Sequence, residues 1–104
     1  KLFSAFSVIA SCSPAYTLLY VDALAQAGVQ FGIPKPLALK IASQAVLGTT
    51  RLLQETGEHP RALADQVCSP GGTTIAGVCS LQKDAFEAAV VAAAQASLDR
   101  DKQL

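Results

Sequence analysis

Apolar positions along the chain recur at helical spacing, and the breaks between them fall at Pro and Gly. Leu37, Ile41, Ala45, Gly48 and Leu52 follow one another at intervals of four, four, three and four, which draws a single stripe along a helix, while Lys40, Gln44, Arg51 and Glu55 fall on another face. This predicts a helix over 36–55 with Gly57 as its C-cap. Upstream, Ser13-Pro14 reads as a helix start, Ser13 capping and Pro14 in the first turn, where its missing N–H costs nothing. The helix from Pro14 to Phe31 carries Leu18, Leu19, Val21, Ala23, Leu24, Ala25, Ala27 and Val29 and is apolar on nearly every side. Such a helix is buried all round, and in so short a chain that implies a partner subunit. Its small residues Ala23, Ala27 and Gly28 suit close approach of another backbone.

Gly32-Ile33-Pro34-Lys35-Pro36 ends that helix and starts the next. Pro60 opens a short helix to Val67, with Leu63 and Val67 facing inward. A fourth begins near Thr73 and carries Ile75, Val78 and Leu81. A fifth runs over 85–98, with Phe86, Ala89, Val90 and Ala93 on one stripe, and the polar tail 99–104 is expected to fray. Residues 2–10 read as a short helix or the remnant of a linker. No strand pattern or internal repeat is visible. The expectation is an all-α chain of about five helices, with residues 1–10 as linker or helix remnant and 11–104 as one helical domain.

Composition sharpens this. The chain has 104 residues and is 51% hydrophobic but only 15% charged, too little charge to cover its surface well. Eight basic and eight acidic residues cancel, so broad attraction to nucleic acid or an anionic membrane is not implied. No Asp, Glu, Lys or Arg lies between Lys1 and Asp22. That stretch has the length of a membrane span or signal segment. Pro14 interrupts it, and Ser4, Ser7, Ser11, Ser13 and Thr17 dilute it, which favours a buried helix and its lead-in. The chain begins at Lys and holds no Met, so a piece of a longer or processed protein is expected. Cys12, Cys68 and Cys79 form no CxxC pair, and the one His, His59, does not complete a zinc site with them. Three free thiols in a reducing compartment are the simplest reading, with Cys12–Cys68 and Cys68–Cys79 bridges open to the spacing.

The segment that can carry chemistry is Ser69-Pro70-Gly71-Gly72-Thr73-Thr74. Pro70 stiffens the approach, the glycines permit positive φ and leave no Cβ in a ligand's way, and the following helix offers free N–H groups at its positive end. Ser69, Thr73 and Thr74 add three hydroxyls. On these residues alone, a plain interhelical loop in which Thr73 or Ser69 caps the next helix is the commoner use of such a sequence. It lacks the Lys of a Walker A loop and the preceding strand of a dinucleotide fingerprint. His59, as a general acid, is the other candidate; a plain helix-start residue before Pro60 is favoured.

Taken with its surroundings, the loop resembles a family. Val67-Cys68-Ser69-Pro70-Gly71-Gly72-Thr73-Thr74-Ile75-Ala76-Gly77 is similar to the signature of the pyrroline-5-carboxylate reductases. Ser11-Cys12-Ser13-Pro14-Ala15-Tyr16 resembles that family's Gly-Ser-Gly-Pro-Ala-Tyr helix start. Asp22 to Val29, Phe31 to Pro34, Gln44, Gly48 and Glu58-His59-Pro60 follow in the same order, so the resemblance covers about residues 11–98. It implies an interleaved helical dimerisation domain, like the C-terminal domain of 6-phosphogluconate dehydrogenase, in an enzyme whose N-terminal Rossmann domain is absent from this chain. The implied reaction is NAD(P)H-dependent reduction of 1-pyrroline-5-carboxylate to L-proline in the cytoplasm, by a homodimer that can assemble into rings, with no metal, nucleic acid or membrane.

Carried over by position, the backbone around Gly71, Gly72 and Thr73, helped by Ser69, would hold the substrate carboxylate. The Thr74 hydroxyl would face the ring nitrogen, and Glu58 is a further candidate. NADPH or NADH would be bound mainly outside this chain, so the isolated chain is expected to be inactive. Ser11 and Ser13 stand where the family has glycines, and Gln82 and Glu87 where it usually has Glu and Arg. These departures leave a second reading, a catalytically inactive dimerisation module derived from the family.

Overall fold

The structure, a computed structural model, describes residues 2–104; Lys1, at the head of the proposed linker, lies outside the described residues. Every element among them is helical: α1 (Leu2–Ser7), a wide π-helical turn (Val8–Cys12), α2 (Ser13–Gln30), α3 (Lys35–Thr56), α4 (Pro60–Val67), α5 (Thr73–Lys83) and α6 (Phe86–Gln103). The all-α expectation holds, and the five expected helices are α2 to α6. The segment read as helix or linker remnant is helical as well, so Leu2–Gln30 is one unbroken run with a wide turn inside it. α2 begins at Ser13 as expected, but it continues directly from the wide turn, so Ser13 does not cap a free helix end. Pro14 sits within a helix because the turn before it is wide.

The chain divides into two units. One comprises residues 14–57, that is, most of α2 with α3. Its joint is a Schellman motif: Ile33 N–H reaches Gly28 O at 2.9 Å and Gly32 N–H reaches Val29 O at 3.0 Å, with Gly32 at φ 100°. The two helices approach closely at Gly28, where an added Cβ would lie 3.1 Å from Ala38 Cβ. Here Gly28 serves contact within its own unit. Lys35 Nζ, at the start of α3, reaches back to Asp22 at 2.9 Å and to Gln26 at 3.3 Å, which places an acidic partner beside a cation at the otherwise unfavourable positive end of a helix.

The buried residues of this unit are Ala25, Ala38 and Ala42. The apolar stripe of Leu37, Ile41 and Leu52 is half exposed, and Leu18 and Leu19, on the helix expected to be buried all round, are exposed at 69% and 71%. Ala38 and Ala42, one turn apart, pack instead, because only small side chains fit where the helices come together. Gly57 ends α3 in the left-handed conformation (φ 65°), its N–H bonded to Leu53 O at 3.0 Å, as expected of a glycine C-cap.

The other unit comprises residues 2–13 and 58–104. In it α1 and the wide turn pack against α6, and α5 packs against α6. Val8, in the wide turn, is the one buried hydrophobic residue among its described residues. Ile75, Val78, Leu63 and Ala93 are half-buried, whereas Val67, expected inward, is 64% exposed. The α5–α6 link differs from expectation in one detail. Ala85 lies outside the helix in the left-handed region (φ 58°, ψ 41°), and α6 starts at Phe86. The tail expected to fray is helical to Gln103. Gln95 Nε2 donates to Asp99 at 2.8 Å and Arg100 donates to Gln103 at 3.1 Å, side-chain links that carry the helix through its polar end.

Candidate functional site

The loop between α4 and α5 is built by a tight turn. Gly72 N–H donates to Ser69 O at 3.0 Å, Pro70 fills the second position and Gly71 the third with φ 70°. Proline followed by a positive-φ glycine is the residue order a type II turn requires. Gly72 is then extended (φ −86°, ψ −178°) and stands at the N-cap of α5, and no side chain caps that helix. A Cβ on Gly72 would meet Ser69 O at 3.2 Å, a tight contact that the turn must ease by a few tenths of an ångström to admit a side chain. The two glycines thus do different work. Gly71 supplies a conformation, and Gly72 supplies room.

Neither Ser69 nor Thr73 caps α5, contrary to the plain-loop expectation. Thr73 and Thr74 occupy the first two positions of the helix, where backbone N–H groups have no intrahelical acceptor, and Ala76 N–H makes the first link back, to Gly72 O at 3.4 Å. Ser69, Thr73 and Thr74 are exposed. The Gly72 N–H, expected to point at a ligand, is engaged by the turn itself. That leaves the Thr73 and Thr74 amides at the positive end of an eleven-residue helix, an arrangement whose chemistry suits an anion.

His59 has a structural use in its own helix. It is the N-cap of α4, and its Nδ1 accepts the Arg61 backbone N–H at 3.0 Å. Glu58, exposed, lies in the link between α3 and that cap. Arg61 and Glu87 face each other at 3.6 Å, both largely exposed. Glu87, one of the departures from the resembling family, thus has a cationic partner on α4. A cleft of about 410 Å³ lies beside this pair, lined by His59, Arg61, Val78, Leu81, Phe86 and their neighbours but by none of residues 69–74. Sequence reading missed both the Arg61–Glu87 pair and the cleft. A pair between different helices leaves no spacing signal.

Cys12, Cys68 and Cys79 are free. Among the described residues no group of three or more His, Cys, Asp or Glu side chains comes together as a metal site.

A helical chain with an open apolar face and a glycine turn feeding a helix N-terminus is of the dimerisation-domain class. The whole chain, residues 1–104, matches the family model described as pyrroline-5-carboxylate reductase dimerisation, and it belongs to that family. It is 46% identical over 104 residues to pyrroline-5-carboxylate reductase of Arabidopsis thaliana, covering all of this chain and 38% of that protein. Its structure is similar to 1-pyrroline-5-carboxylate reductase from Streptococcus pyogenes, with TM-score 0.96 and 43% identity over 98% of this chain and 39% of that one. It is also similar to Plasmodium falciparum pyrroline carboxylate reductase, solved with NADP bound, with TM-score 0.92 and 30% identity over 97% of this chain and 38% of that one. The chain thus spans about two-fifths of the length of the relatives it matches.

Proposed function

We propose that this chain is the dimerisation and substrate-binding part of a pyrroline-5-carboxylate reductase, an NAD(P)H-dependent oxidoreductase that makes L-proline from 1-pyrroline-5-carboxylate. The observation that carries this reading is the Ser69–Thr74 turn, with its uncapped helix start, in a chain that matches the family along its whole length. The substrate carries one carboxylate and one ring C=N bond. The Thr73 and Thr74 amides, with the Ser69 hydroxyl, hold the carboxylate where the helix end favours negative charge. The Thr74 hydroxyl orients the ring nitrogen and steadies it as the C=N bond is reduced; a threonine hydroxyl is a poor acid, so its part is placement before proton delivery. Glu58 stays a secondary candidate near the same substrate.

The nicotinamide nucleotide would supply the hydride when bound. No strand occurs among the described residues, and the glycine loop follows a helix. This supports the reading that NADPH or NADH would be bound mainly by other parts of the full-length protein. The isolated chain would then be inactive.

The partner would be a second copy, in a homodimer able to build further into rings. Helix Leu2–Gln30 is long and apolar enough to cross a membrane by length and composition. Pairing of copies gives its exposed side chains another destination, and three free cysteines suit the reducing cytoplasm.

In the full-length protein, Thr74→Ala should lower turnover of 1-pyrroline-5-carboxylate by about tenfold or more with NADPH affinity unchanged. Unchanged turnover would reject the role given to Thr74. Absence of any reductase activity in the unsubstituted full-length protein would favour the inactive dimerisation module.

A further inference from the structure

Helix Leu2–Gln30 passes through Pro14 without breaking. An interior proline ordinarily breaks or kinks a helix, because its ring crowds the carbonyl four residues back and it brings no N–H. Here the turn before it is wide. Ser13 N–H bonds to Val8 O, five residues back, in place of Ile9 O, four back. The exchange creates a vacancy. In the α register the Ile9 carbonyl would receive the Ser13 amide, which Val8 has taken. In the wide register it would receive the amide of residue 14, and proline has none.

We infer that the Ser13 hydroxyl stands in for the amide hydrogen that Pro14 lacks. Its Oγ donates to Ile9 O. Ser13 thus supplies two donors to two successive carbonyls, the backbone one to Val8 and the side-chain one to Ile9. The wide turn this completes buries Val8 and packs against α6, in the unit that also carries the Ser69–Thr74 loop. Back-bonding of a serine to the carbonyl four residues earlier is common in helices; here it falls on the one carbonyl that neither register can otherwise serve. The resembling family has glycine at this position, which cannot do this. Serine at residue 13 is therefore absorbed by its own helix.

The inference is independent of the substrate reading and is tested by a double-mutant cycle in the full-length protein at one fixed concentration, using Ser13→Ala, Pro14→Ala and both together. Ser13→Ala alone should lower the thermal midpoint by about 2–4 °C. In the Pro14→Ala background it should lower it no further, because that substitution restores a backbone amide for the carbonyl. An equal drop in both backgrounds, or none in either, overturns the inference. Amide exchange over residues 8–17 gives a second readout that does not need a clean melt. Ser13→Thr keeps the hydroxyl and should keep protection, and Ser13→Gly should lose it. Equal protection in the Thr and Gly variants overturns the inference.

Discussion

His59 Nδ1 accepts the backbone N–H of Arg61 at 3.0 Å, so the single histidine of the chain closes the first turn of α4. A ring nitrogen used as a cap serves the helix before any substrate. His59→Ala should cost about 1 kcal/mol of stability, read from urea denaturation at fixed protein concentration. His59→Asn or His59→Asp should recover most of it, and kcat should not change in any of the three.

Gly71 and Gly72 should respond differently to alanine. At Gly71 the left-handed conformation penalises a Cβ by about 1–2 kcal/mol, so Gly71→Ala should weaken folding as well as substrate binding. At Gly72 the backbone conformation is ordinary, and the new Cβ meets Ser69 O at 3.2 Å. Gly72→Ala should therefore raise KM for the substrate with a smaller loss of stability. Steady-state kinetics and denaturation of the two full-length variants separate the effects.

Ala85 is the only non-glycine residue with positive φ among the described residues. Replacing it by glycine removes the left-handed penalty, offset in part by the greater freedom of the unfolded chain. Ala85→Gly should raise stability by about 0.5–1 kcal/mol, seen as a higher thermal midpoint.

The Arg61–Glu87 pair joins α4 to the first turn of α6, with both side chains more than half exposed. Water screens such pairs, and a double-mutant cycle should yield a coupling of about 0.2–1 kcal/mol or less. The coupling should vanish in concentrated salt. Glu87 also sits where a helix favours negative charge, so Glu87→Gln should cost slightly more than Arg61→Gln.

Leu18 and Leu19 lie open on α2. If they belong to the surface that pairs two copies, Leu18→Asp with Leu19→Asp should break the dimer at micromolar concentration, as measured by sedimentation. A dimer that persists would move the interface elsewhere.

The helices were legible where local rules govern them. Pro60 opens α4, Gly57 caps α3, and Gly32 with Pro34 separates α2 from α3, because glycine and proline act through their own backbones. The lead-in to α2 misled for the same reason: Pro14 signals a start, and the wide turn that carries a helix through it has no simple sequence mark. The loop was legible as a turn, but the division of labour between its glycines was not, since it depends on where the Ser69 carbonyl ends up. The stripe of Leu37, Ile41 and Leu52 was legible as a stripe. What periodicity could not say is that alanines make the contact inside the unit and the larger side chains are left over for something outside it.

That last feature bears on abundance. Among the described residues the buried hydrophobic ones are one valine and three alanines, with no large side chain wholly enclosed. In the proposed dimer, much of the apolar burial would be borrowed from a neighbour. Dilution would then act on this protein as a mild denaturant, and a cell that makes little of it would keep a smaller fraction folded than a cell that makes much.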